Sequence, residues 1–145
     1  MSDPTKLSRL FRERARNAEK EKLKELYKEL YQIQIVDSMF LNEMESIRLK
    51  KAGYEKVFKQ EGTVVTDFSQ VKSMFEVYCS NLTDKNVVLF HLEQLNCGVK
   101  VPFRIIHQIM VGSKQLLSDV LIVSDYLNHC ICIEVEEHSY IVTHW

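Results

Sequence analysis

The sequence predicts an α+β domain: N-terminal helices followed by a small, mostly antiparallel sheet packed on helices. Three observations carry that expectation. Apolar side chains recur at helical spacing in the first half of the chain, and Gly and Pro are scarce throughout, at 4 and 2 of 145 residues. Short runs rich in Val and Ile then follow one another at close spacing after residue 87. A composition of 46% hydrophobic and 27% charged residues suits one domain with a full-sized core.

Thr5 to about Ile33 reads as one long helix, free of Gly and Pro and rich in Glu, Lys, Arg, Leu and Ala. Leu7, Leu10, Phe11, Ala15 and Ala18 form a first apolar face, and Leu23, Leu26, Leu30 and Ile33 a second. The expected division is a charged N-terminal helix over residues 1–36, its first half projecting, and an α+β domain over residues 37–145. A second helix is predicted over Ser38–Ala52, with Phe40, Met44, Ile47 and Lys51 on one face and Gly53 as its C-terminal cap. Residues 54–66 suit either a hairpin turning at Glu61 and Gly62 or a helix running on to Gln60. Asp67 followed by Gln70 has the form of a capping box, opening a helix whose face carries Phe68, Val71, Phe75, Tyr78 and Leu82.

Val87–Leu92 reads as a strand. Pro102 suits the start of a helix with Ile105, Ile106, Ile109 and Met110 inward, ending near Leu117. Val120–Tyr126, Cys130–Glu136 and Tyr140–Trp145 then form a three-stranded meander, joined through Leu127–His129 and through Glu137 and His138.

The near-neutral total charge of −1 hides an asymmetry. Residues 1–60 carry 14 basic and 10 acidic side chains, a net of +4, and residues 61–145 carry 5 and 10, a net of −5. No apolar stretch follows a basic start, so no secretory signal is expected, and the uninterrupted apolar runs are too short to span a bilayer. The expectation is a cytoplasmic protein with no membrane partner and four free thiols at Cys79, Cys97, Cys130 and Cys132.

Several chemical readings compete with blander ones. The order Glu45, then the step from Leu49 to Tyr54, then Asp67 resembles restriction-endonuclease-like nucleases, whose carboxylates hold a divalent cation beside a lysine. The acidic-x-Lys element is missing, however: neither Leu92–Asn96 nor Ile133–Glu137 contains lysine, and a capped helix is the preferred reading. His91 and Glu93 match half of a zinc-deaminase motif without its Pro-Cys-x-x-Cys partner. His129, Cys130 and Cys132, with His138 and His144 on adjacent strands, form the best metal-like cluster. A single residue between the two cysteines is nonetheless too short for usual zinc spacing, and buried cysteines commonly serve as small hydrophobes. Cys97, next to Gly98, is the least core-like thiol but lacks a nucleophile signature. Glycines at 53, 62, 98 and 112 are too dispersed for a phosphate-cradling loop. No catalytic residue, metal site or cofactor is predicted.

Two charged surfaces remain. Arg9, Arg12, Arg14, Arg16 and Lys20 make a basic stretch on the first helix that suits nucleic acid, although Glu21, Glu25 and Glu29 beside it favour a solvated, salt-bridged helix. In the C-terminal meander, Asp119, Asp125, Glu134, Glu136 and Glu137 supply negative charge, and Tyr126, Tyr140 and Trp145 supply aromatic anchors of the kind found at protein interfaces. Alternation puts Cys130, Cys132, Glu134 and Glu136 on one strand face, read as polar, and Ile131, Ile133 and Val135 on the other.

In size, element order and charge, with Val87–Trp145 carrying most of the likeness, the chain is similar to immunity proteins of bacterial polymorphic-toxin (contact-dependent inhibition) systems. The resemblance implies a non-enzymatic inhibitor of a cognate protein toxin, often a nuclease, whose carboxylates occupy the place of substrate phosphates in a basic cleft. The alternatives are a nucleic-acid-binding accessory protein using the basic helix and a metal-dependent hydrolase using the His-Cys cluster.

Overall fold

The computed structural model describes residues 4–80, 85–91, 97–113, 119–124 and 129–145. The chain divides into two units, residues 1–40 and 41–145, the break falling a little after the one expected at residue 36.

In the first unit, α1 spans Pro4–Tyr31, matching the predicted helix closely. Every side chain from Thr5 to Ala15 is exposed. The helix stops because Gln32 takes a left-handed conformation (φ 52°), which frees its own N–H and that of Ile33 to donate to the carbonyls of Lys28 and Tyr27. The chain then folds back through a 3-10 turn at Asp37–Met39. Lys24, paired along the helix with Glu21 at 2.9 Å, holds the returning segment by an ion pair to Asp37 at 2.5 Å.

The second unit is built on a six-stranded, wholly antiparallel sheet, confirming the α+β class. Its strands are β1 (Thr63–Val65), β2 (Asn86–His91), β3 (Val99–Pro102), β4 (Val120–Ser124), β5 (Cys130–Val135) and β6 (Tyr140–His144), in spatial order β1-β6-β5-β4-β2-β3. The predicted meander β4-β5-β6 and the earlier strand β2 are all present. Sequence reading missed the edge strand β3, four residues long and running directly into a helix, and offered the three-residue β1 only as the second arm of a hairpin, whereas it pairs with β6. Neither alternates over enough residues to announce itself.

Helices cover both faces of this sheet. α2 (Glu43–Val57) lies over β4 and β5, whereas α3 (Phe68–Tyr78) packs on β6 and β1 and α4 (Phe103–Gly112) on β3. Cross-strand register assigns the faces. Val88, Phe90, Leu121, Val123, Cys130 and Cys132 form one core layer with Leu49 and Val57 of α2. Their neighbours Val87, Leu89, Ile122, Ile131, Ile133 and Val142 point the other way and are buried there. The strand face read as polar is therefore covered by α2 at Cys130 and Cys132.

α2 departs from expectation in its limits and its face. It begins after Asn42, whose side chain accepts the Glu45 N–H at 2.8 Å, and continues to Val57, so residues 54–57 are helical and no hairpin turns at Glu61 and Gly62. Gly53 does not cap it. The buried positions are Ser46, Leu49, Gly53 and Val57, whereas Met44 is 82% exposed and Ile47 also faces solvent. Small residues at 46 and 53 let this helix approach the sheet closely, and that fit outweighs the larger apolar side chains on its other side. The capping box on α3 is present: Asp67 accepts the Ser69 N–H at 3.2 Å, and the Gln70 side chain accepts the Asp67 N–H at 3.2 Å. Leu82 lies outside the described residues. α4 ends at Gly112, five residues short of the Leu117 expected, and Pro102 ends β3 as it caps the helix.

Candidate functional site

The acidic candidates meet at one end of the β4-β5-β6 meander. Val120 pairs with Ile133, which brings Asp119 level with Glu134 on the neighbouring strand. Asp119 is anchored there, its Oδ1 accepting the Val135 N–H at 2.7 Å. Glu134 is half-buried, and burial together with the charges of Asp119 and Glu136 raises its carboxyl above the ordinary range. Glu136 and Glu137 continue into the exposed β5-β6 turn, with the imidazole of His138 3.6 Å from Glu137. Tyr54 of α2 completes the neighbourhood. Its phenol is pushed up to about 12 by burial, with further contributions from Cys132, Asp119 and Glu134, and its ring stacks on Phe58 at 5.1 Å.

The aromatic anchors do not join these carboxylates on one surface. Tyr140 pairs with Val135 at the same end but faces the opposite side, its ring against Phe68 of α3 at 5.7 Å. Trp145 sits at the far end of β6, bonded through its backbone to Cys130 and capped by the Lys56 ammonium 3.6 Å above its ring. Asp125 and Tyr126 lie outside the described residues, as does Glu93.

The His-Cys cluster is divided by the same geometry. His129, Cys130 and His144 gather at the Trp145 end, Cys132 is sealed beneath α2, and His138 is at the acidic end. Among the described residues, no group of three or more His, Cys, Asp or Glu side chains could hold a metal ion. Burial pushes the thiols of Cys79 and Cys132 up to about 12 and that of Cys130 to about 11, and Cys97 is buried too, so these cysteines behave as core hydrophobes. The nuclease-like carboxylates are separated by the sheet: Glu45 lies in the first turn of α2 on one face, and Asp67 caps α3 on the other, its carboxyl lowered by the Ser69 hydrogen bond.

On α1, Arg9, Arg12 and Arg14 are exposed and Arg16 is half-buried, while Lys20 lies over the Phe40 ring at 5.5 Å. Among the described residues no helix is long and apolar enough to cross a membrane. Sequence reasoning missed Tyr54, Lys56 and Tyr78 as members of these neighbourhoods. Each sits on a helix, and nothing local to it signals the strand end it meets.

No protein-family model matches the chain, and no curated protein or solved structure matches it.

Proposed function

We propose that this protein is a non-enzymatic inhibitor that binds another protein through the acidic end of its sheet, acting as an immunity protein toward a cognate toxin, a nuclease being the type that best suits the charge. The observation that carries this reading is the crowding of Asp119, Glu134 and Glu136, close enough that the first and last oppose ionisation of Glu134. Like charges held together on a rigid strand pair gain most when a cationic surface neutralises them, as the phosphate-binding cleft of a nuclease would. The buried, high-pKa thiols support a binding role over nucleophilic catalysis.

The test is to look for a toxin domain encoded by a gene neighbouring this one and to co-express the two. Co-expression should restore growth, and the Glu134→Lys, Glu136→Lys double variant should bind that domain at least tenfold more weakly, with native association slowing as salt rises. Failure to protect, or unchanged affinity in the folded double variant, overturns the reading. The exposed Arg9, Arg12 and Arg14 sustain the nucleic-acid alternative. In that case Arg12→Glu would abolish binding to RNA or DNA while the sheet variant left it intact.

A further inference from the structure

At the opposite end of the sheet from the acidic cluster, a cleft of about 290 Å³ opens between α3 and the β4-β5-β6 strands. Its floor is a single cross-strand row, since Ile122 pairs with Ile131 and Ile131 pairs with His144. Tyr78, from the last turn of α3, lies over this row with its ring centroid 3.5 Å from that of His144. His129 precedes β5 on the same side as Ile131, and Trp145 forms part of the wall.

The lining has a definite chemistry. Two isoleucines and the Tyr78 ring offer a flat apolar slot, and the imidazoles of His129 and His144 supply polar groups on the same side of the sheet; Trp145 borders it at the strand end, its own ring turned to the α2 side. His129 and His144 are diagonal neighbours across the strand pair, a relationship that sets residues about 7–8 Å apart, near enough for one carboxylate to accept a hydrogen bond from each. Among the described residues, none of the lining side chains is acidic. The cleft has the liquid volume of about ten waters, which fits a one-ring ligand with a short polar arm.

We propose that this cleft binds a small aromatic carboxylate, its ring over Ile122 and Ile131 and its carboxylate on His129 and His144. Trp145 is the only tryptophan in the sequence and borders the cleft, so its fluorescence is the readout of occupancy. The probes are phenylacetate and the uncharged isostere phenylacetamide. Phenylacetate should give a saturable change with a Kd on the order of 1 mM or tighter, at least tenfold tighter than the amide. Ile122→Phe, which fills the floor, should abolish the response. Because that variant alters the core, the exposed-side His144→Gln, His129→Gln double variant is the second test: it should lose the preference for the acid over the amide while its thermal unfolding stays close to native. Equal affinity for acid and amide, no saturable response up to about 10 mM, or an unchanged preference in the double histidine variant overturns the proposal.

Discussion

Ser46 and Gly98, 52 positions apart in the chain, are joined by a buried hydrogen bond: the Gly98 N–H donates to the Ser46 Oγ at 3.1 Å. This bond ties the first turns of α2 to the start of the edge strand β3. Next to it the Leu41 N–H donates to the Gly98 carbonyl at 2.9 Å, so both backbone groups of Gly98 are satisfied from outside the sheet ladder. Gly98 also has no room for a side chain, because an added Cβ would lie 2.9 Å from both Phe90 Cε1 and Val88 Cγ1.

Ser46→Ala should therefore destabilise the fold by about 1–3 kcal/mol, the cost of leaving the buried Gly98 N–H without its acceptor. Ser46→Thr retains the hydroxyl but adds a methyl group at a position with no exposed surface. Urea unfolding of both variants checks this, and a native midpoint for Ser46→Ala would contradict it.

Gly53 tests how closely α2 sits on the sheet. A Cβ there would lie 3.0 Å from Val123 Cγ2 and 3.3 Å from Leu121 Cδ2, both side chains of the core layer. Gly53→Ala gains about 1 kcal/mol of helix propensity and loses a similar amount to compression, so its net change should stay within about 1 kcal/mol. Gly53→Leu has no such offset and should cost about 3 kcal/mol or more in a calorimetric or denaturant measurement.

His91, at the end of β2, is 5% exposed, and burial lowers its pKa to about 4. Its folded value lies below the unfolded one of about 6.5, so between these the unfolded state binds more protons. The contribution is fully present above about pH 6.5 and is lost as pH falls toward 4, on the order of 3 kcal/mol in total. Stability measured across that window should fall steeply in the native protein and more gently in His91→Gln.

Glu134 should behave in the opposite sense. Its carboxyl is raised by burial and by Asp119 and Glu136, so the folded state holds its proton more tightly than the unfolded one. Stability from this group is present below the unfolded carboxylate pKa and is lost as pH rises through the raised folded value. Glu134→Gln should therefore be at least as stable as the native protein at pH 7, by up to about 1 kcal/mol, with the difference vanishing near pH 4. A destabilised Glu134→Gln at pH 7 would show that the carboxylate makes a favourable native interaction.

Local signals in the sequence determined the long helix α1, the capping box of Asp67 and Gln70, the meander β4-β5-β6 and the α+β class, because periodicity and caps act between residues a few positions apart. They also marked Asp119, Glu134 and Glu136 as one acidic group. Only the tertiary structure decided which side of α2 is buried: Ser46 and Gly53 win over Met44 and Ile47 because close approach to Leu121 and Val123 requires small residues there. It likewise decided that Cys130 and Cys132 are covered, that β1 and β3 join the sheet edges, and that Tyr140 and Trp145 part from the carboxylates. Each of these outcomes depends on strand register and helix placement between residues distant in the chain, and no short stretch of sequence encodes such a pairing by itself.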